Sequence, residues 1–465
     1  VKVVARQKLT GFKAYDIRGK VPEELDETMA EYIGRAFALL FKPEKVAVGR
    51  DMRPTGGGIV EALTKGLTAA GVDVVDIGLV GTEQVYFAVF ALELDGGIMV
   101  TASHNPAEYN GMKLVREKAI PISSETGLAD IERLVADALA GDSKALDEVV
   151  VGESGLVEGR DIQELYIEHL LGYVKPEDLR RLKIVANGGD GMAGPIVKAL
   201  GERLPLDFEI LHGEPDGTFP NGVPNPLLSE NREATARAVR EAGADLGLAW
   251  DGDFDRCFFW DERGEFVDGY YLVGLLAQGV LRRHQGAKIV HDPRLVWNTL
   301  EIVNEQGGVA VQSKSGHSFI KERMRAEDAA YGGEMSAHHY FREFSYADSG
   351  MIPWLLVADL LSTTGRPLSD LVSEMQSRYP ISGEINTRLS DPDKALARLK
   401  EEYGSRALSV DETDGISVEF ADWRFNVRPS NTEPLIRLNL ETRGDVELVE
   451  QKTRELLAFL EREGA

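Results

Sequence analysis

Cysteine is almost missing from this chain: among 465 residues there is one, Cys257. A single thiol excludes an internal disulfide framework and fits a reducing compartment, so the expected location is cytoplasmic. Cys257 falls in an apolar run, where a buried and inert thiol is expected. Long hydrophobic runs are missing too; no stretch reaches eighteen apolar residues, which leaves no membrane-spanning helix in the sequence. The first ten residues alternate basic and apolar without the apolar core of a secretion signal. Positive charge is the third shortage. Lysine and arginine total 52 against 77 aspartates and glutamates, a formal charge of -25. So acidic a protein repels nucleic acid and anionic membrane alike, and neither is expected as a partner. Small molecules remain. If they carry phosphate, a local group of arginines and lysines has to overcome the global repulsion.

What is present is an ordinary globular balance, 43% hydrophobic and 28% charged, in a chain too long for one core. The hydrophobic pattern recurs three times. In the first copy, strand Lys45 to Gly49, a polar loop, helix Ile59 to Ala70, strand Val72 to Ile77, helix Glu83 to Leu94 and strand Gly97 to Val100 read as a doubly wound βαβαβ unit. The second copy starts at Lys183 and the third at Lys288. Each final strand runs into an unusual polar loop and then an apolar return strand. From about Ile381 the character changes to an α+β domain with one polar loop at Arg428 to Pro434. The expected fold class is α/β: three similar mixed or parallel-sheet α/β domains in series, then a C-terminal α+β domain. The expected divisions are 1–150, 151–262, 263–378 and 379–465. Three equivalent loops suggest three parts of one site.

The first loop is Thr101-Ala102-Ser103-His104-Asn105-Pro106. A serine at the end of a buried strand faces the crevice where α/β sheets place ligands. No Gly-x-Ser-x-Gly elbow is present, so a serine that carries phosphate is favoured over an acyl nucleophile; a Ser/Asn turn capping the next element fits these residues equally well. The second loop, Asp251-Gly252-Asp253-Phe254-Asp255-Arg256, alternates three carboxylates that would point to one side if extended. Oxygen ligands without His or Cys select a hard cation such as Mg²⁺, with an exposed acidic turn as the alternative. An EF-hand is excluded, because Arg256 stands where glycine is needed and the flanks are strands. In the third loop, Glu334 and Ser336 suit a sugar diol. Arg428 with Ser430, Asn431 and Thr432 suits a phosphate dianion, although such residues also make plain turns. His317 and His338 fit either a structural or a functional role.

Taken together, these four ordered motifs, with Ala14-Tyr15-Asp16-Ile17-Arg18-Gly19 upstream, resemble the α-D-phosphohexomutases, most closely the bacterial members that act on mannose phosphates. The resemblance implies a heart-shaped enzyme of four domains that interconverts mannose 6-phosphate and mannose 1-phosphate through a hexose 1,6-bisphosphate. It implies a phosphorylated Ser103, and one Mg²⁺ per chain held by Asp251, Asp253, Asp255 and the phosphoserine. It further implies a sugar-reading loop at Glu334 and Ser336 and a phosphate clamp at Arg428, Ser430, Asn431 and Thr432. Lys113 and His317 or His338 become candidates for acid/base work, with Tyr15, Arg18, Arg256 and Arg294 near the phosphates. Met335, in the Gly-Glu-Met-Ser motif, implies mannose and glucose phosphates rather than glucosamine phosphate, and a monomer or weak homo-oligomer is expected. Phe254 departs from the glycine many members carry there, so the local backbone is expected to differ.

Overall fold

The computed structural model describes residues 8–429 and 435–463, and in it the strand Gly96–Val100 is buried at every position. It lies third in a sheet ordered Ile17–Lys20, Tyr109–Arg116, Gly96–Val100, Lys45–Arg50, Asp73–Leu79 and Val157–Gly159. The last four strands are parallel, whereas Tyr109–Arg116 returns antiparallel along Gly96–Val100. The loop 101–108 is too short for a parallel crossover, so the return has to be antiparallel. Both copies that follow repeat this device. Lys183–Asn187 is flanked by the parallel strands Asp207–Leu211 and Leu246–Trp250, with Cys257–Trp260 antiparallel beyond. Lys288–His291 is flanked in the same way by Val309–Gln312 and Tyr331–Gly333, with His339–Phe341 returning. Ile385–Arg388, Leu435–Thr442, Trp423–Pro429, Ile416–Glu419 and Ser409–Asp411 form a wholly antiparallel sheet. Three mixed α/β sheets and an antiparallel C-terminal sheet are thus the fold class anticipated from the sequence.

The chain divides into two compact units, one running through Phe266 and taking in Glu343–Thr363, the other holding Val267–Arg342 and the chain from Thr364 onward. In the first unit the helix over 59–70 begins earlier, at Gly56, and runs to Ala69. Glycine is a poor helix former, which is why the triple glycine reads as loop. Helix Glu27–Phe41, not anticipated from the pattern, starts at Asp26, whose carboxylate accepts from Met29 N at 2.7 Å. Its buried face joins Ile59, Leu63, Val46, Val48, Ile98 and Val100 in one core.

Glu83, in the helix Thr82–Ala91, is the polar node of that unit. Its enclosed carboxyl group accepts from Tyr166 Oη, Ser349 Oγ (2.7 Å) and Gly350 N. The segment Ser349 to Met351 leads into helix Ile352–Thr364. Burial outweighs these donors and pushes the carboxyl up to about 8 from an ordinary 4.5. The folded protein therefore binds a proton the unfolded chain has released, and this contribution is complete below pH 4.5 and lost as pH rises through 8. Raising the pH from 6 to 9 should destabilise the protein by about 3 kcal/mol through this residue, nearly all of it between pH 6 and 8. Glu83→Gln should flatten the thermal-denaturation midpoint against pH over that range; an unchanged slope would contradict the assignment.

In the second unit the antiparallel sheet has two different faces. Ile416, Val418, Phe425, Val427, Leu438 and Leu440 join the core under helices Pro392–Gly404 and Val446–Glu463. The alternate positions, Arg424, Asn426, Arg428, Arg437, Asn439 and Glu441, are polar. Period-two alternation ordinarily marks a sheet with one wet face, yet Asn426, Asn439 and Glu441 are fully buried and Arg424 is 3% exposed. The loop 292–297 lies over Arg424 and Glu441. Arg424 donates to the carbonyls of Pro293 (2.9 Å) and Arg294 (3.0 Å) and to Glu441 (2.8 Å), which also accepts from Val296 N at 2.7 Å.

Candidate active site

Ser103 stands three residues beyond the strand Gly96–Val100, with its backbone in the left-handed region (φ 49°) and its side chain buried. A non-glycine residue holds that conformation only where its surroundings demand it. Here the demand comes from the loop after the neighbouring parallel strand, Lys45–Arg50. The enclosed Arg53 donates to the carbonyls of Ser103 (2.9 Å), Asn105 (2.7 Å), Pro106 (2.7 Å) and Tyr109 (2.8 Å). Its partner Asp51, 3.3 Å away, accepts from Thr101 Oγ1 at 2.7 Å, and Thr101 Oγ1 in turn accepts from Ser103 N at 2.9 Å. Sequence reasoning passed over Arg53 and Asp51, although both stand in a polar loop at a strand end.

The aspartate loop, residues 251–256, reaches the same place within the first unit. Ser103 Oγ donates to Asp251 Oδ2 at 2.6 Å, and a Cβ on Gly252 would meet the Ser103 carbonyl oxygen at 2.7 Å, so glycine is what lets the two loops touch. Arg256 binds Asp251 through Nε (2.9 Å) and Nη2 (2.7 Å) and donates to Ser103 Oγ at 3.4 Å and to His104 Nδ1. Burial, Arg256 and Arg18 together push His104 well below the ordinary histidine range, so its ring is neutral. The three aspartates offer carboxylate oxygens within 4.8 Å of one another. They do so through a tight turn and not through the extended alternation expected from the sequence, since Phe254 has φ 47°. That is a backbone glycine would adopt freely. The Phe254 ring is buried where a Cβ on Gly81 would be 2.1 Å away.

Like charges this close require cations. Lys113 Nζ lies 2.6 Å from Asp253 and 2.5 Å from Asp255. Burial works against its charge, but the two carboxylates outweigh burial and hold its pKa above the usual lysine range. Thr82 Oγ1 also donates to Asp253, at 2.5 Å. Arg18 is anchored to Asp16 (2.7 Å) and Asn105 (3.0 Å), and Tyr15 is half-buried beside it in sequence. The donor set fits a hard divalent cation. It is all oxygen, Lys113 stands in as the positive charge, and Asp253 Oδ1 is buried without a hydrogen-bond partner.

The remaining candidates belong to the second unit. Arg294 is buried and binds Asp292 with both nitrogens of its fork, at 2.9 and 2.8 Å. Its guanidinium is also 3.8 Å from Glu334. Both Glu334 oxygens are engaged, one by Gly316 N and one by Tyr340 Oη, each at 2.6 Å, so the carboxylate is held rigidly. Ser336 follows in the same turn, half-buried. His317 opens helix His317–Glu327, and its ring centre is 6.4 Å from that of His338. Arg428, next to last in the strand Trp423–Pro429, lies near Glu384 and Asp414, at 3.7 and 3.6 Å. Ser430, Asn431 and Thr432 lie outside the described residues. Sequence reasoning also passed over Glu384 and Arg437, which are 3.4 Å apart in the arginine group; the sheet's alternation was the available signal for Arg437.

A hydroxyl among three buried carboxylates and several fixed cations is an arrangement for metal-assisted phosphoryl transfer, carried on α/β scaffolds whose strand ends supply it. Four family models match the chain in order: phosphoglucomutase/phosphomannomutase alpha/beta/alpha domain I (residues 9–141), domain II (164–264), domain III (268–379) and the C-terminal domain (384–458). Over 458 residues it is 57% identical to the phosphomannomutase of Salmonella typhimurium, covering 97% of this chain and 99% of that one. Against the phosphomannomutase of Escherichia coli the identity is 55%, covering 98% and 99%. A crystal structure of a phosphoglucomutase/phosphomannomutase family protein from Burkholderia thailandensis is similar with a TM-score of 0.86 at 32% identity, covering 98% of both chains. The chain belongs to the phosphoglucomutase/phosphomannomutase family.

Proposed function

We propose that the protein is a phosphomannomutase, interconverting mannose 6-phosphate and mannose 1-phosphate through a phosphorylated Ser103 and a hexose 1,6-bisphosphate. The observation that carries this reading is the seat of Ser103, whose hydroxyl meets Asp251 at 2.6 Å inside a buried carboxylate cluster; the high identity to phosphomannomutases along nearly the whole chain supports it. In the forward half-reaction the bond from phosphorus to Ser103 Oγ breaks as one forms to the sugar O1, and the O1 proton leaves to a base. Lys113, which lies between Asp253 and Asp255, and His317 or His338 are the candidates for that role. The bisphosphate then turns, and its 6-phosphoryl group returns to Ser103.

Asp251, Asp253, Asp255 and the phosphoserine would hold Mg²⁺, which supplies positive charge against the transferring group. Arg256 is placed to neutralise the Ser103 oxygen as the phosphoryl group leaves. Arg18, fixed by Asp16 and Asn105, adds a second cation beside the serine loop. Glu334 and Ser336 read hydroxyls, while Arg428 and Arg294, with Ser430, Asn431 and Thr432, hold the phosphate that is not reacting.

The test is incubation with mannose 1-phosphate, Mg²⁺ and a trace of hexose 1,6-bisphosphate. Isomer supports the reading, whereas free phosphate points to a phosphatase and no change to a non-catalytic binder; a parallel run on glucose 1-phosphate measures preference. Chelation should lower turnover by about 100-fold or more, with recovery on adding Mg²⁺.

A further inference from the structure

Glu384 precedes the edge strand Ile385–Arg388, which pairs with Leu435–Thr442. Three guanidinium groups surround it: Arg437 at 3.4 Å, Arg294 at 3.5 Å and Arg428 at 3.7 Å. Charge-assisted hydrogen bonds are shorter, near 2.8 Å, as Arg294 shows on Asp292 at 2.8 and 2.9 Å. Glu384 takes one long hydrogen bond, from Arg437 Nη1 at 3.4 Å, and leaves most of the arginine donors unused. Its Oε2 accepts no hydrogen bond, and the buried Nε groups of Arg428 and Arg437 donate none. Asp292 on Arg294 and Asp414 near Arg428 supply two further negative charges. Glu334, 3.8 Å from Arg294, is a fourth carboxylate, so three arginines face four carboxylates and the cluster has no excess positive charge before any ligand arrives.

We propose that Glu384 is the resident counter-anion of the phosphate clamp, and that its charge keeps the clamp's hold on phosphate weak. A phosphate dianion bound to Arg428 and Arg437 adds charge beside a carboxylate already present, and the repulsion lowers affinity. The inference rests on the proposed function only for the use of a weak hold: a bisphosphate that must turn within the enzyme has to be let go by the clamp in every cycle.

Calorimetric titration of the full chain with inorganic phosphate tests this directly and needs no turnover. Glu384→Gln and Glu384→Ala should each bind inorganic phosphate about tenfold more tightly than the unaltered protein. Glu384→Asp, which keeps the charge, should stay within about threefold of it. The gain should vanish when Arg428→Met is added to Glu384→Gln, which assigns it to the clamp. With mannose 1-phosphate, Glu384→Gln should lower KM and kcat together. Phosphate binding that is unchanged or weaker in both neutral variants would overturn the proposal, leaving Glu384 as a scaffold for the arginines. Tighter phosphate binding with no isomerisation by the unaltered protein would uphold it while removing the mutase reading.

Discussion

Ser103→Ala is expected to lower mutase turnover by about 10⁴-fold or more, roughly 5.5 kcal/mol of barrier. The size follows from the role. A phosphoryl carrier cannot be replaced by its surroundings, because the sugar then has no donor and the remaining charges only bind it. Stability should change little, since Asp251 keeps both nitrogens of Arg256 when the Ser103 hydroxyl is gone. Intact-mass measurement after incubation with hexose 1,6-bisphosphate provides the second reading: the unaltered chain should gain one phosphoryl group and the variant none. Near-normal isomerisation by Ser103→Ala would remove the carrier role whatever the mass shows.

Arg53→Met should be the most damaging change outside the reacting groups. It removes four donations to the carbonyls of Ser103, Asn105, Pro106 and Tyr109 and leaves the fully buried Asp51 without its cation. Stranding a buried charge costs about 3–5 kcal/mol, and the serine loop loses what holds Ser103 at φ 49°. A clear fall in denaturation midpoint is expected, together with a drop in kcat of about 10²-fold from the misplaced nucleophile. Arg53→Lys should not rescue activity, because a single ammonium cannot span four carbonyls. Adding Asp51→Asn to Arg53→Met should return part of the stability and none of the rate, since the carbonyls remain unheld. A kcat near normal in the single variant would show that the loop keeps its shape without Arg53.

The serine loop, the aspartate loop, Glu334 and Arg428 were legible because each is a short polar segment at the end of an apolar strand, where composition alone marks a ligand-facing turn. Arg53 was not. It stands fifty residues before Ser103, and its task becomes visible only with the strand order: Lys45–Arg50 and Gly96–Val100 are parallel neighbours with Arg50 beside Val100, so their following loops leave the sheet together. The aspartates were legible as a cation-binding set but not in conformation, because alternation in sequence does not say whether the backbone is extended or turned. Glu384 stands just before an edge strand, with nothing nearby in the sequence to show three arginines from separate segments around it.

Residue order thus settles the repeated strand and helix pattern, the apolar face of each element and the chemical character of the loops, all of which depend on spacings of two to four residues. Its reach ends at the polar face of the last sheet. Arg424, Asn426, Asn439 and Glu441 alternate with apolar residues as a solvated face would, yet all four are buried, and the loop carrying Arg294 lies over Arg424 and Glu441. Whether a polar face meets water or another segment depends on contacts more than a hundred residues away along the chain, and those exist only once the sheets have packed.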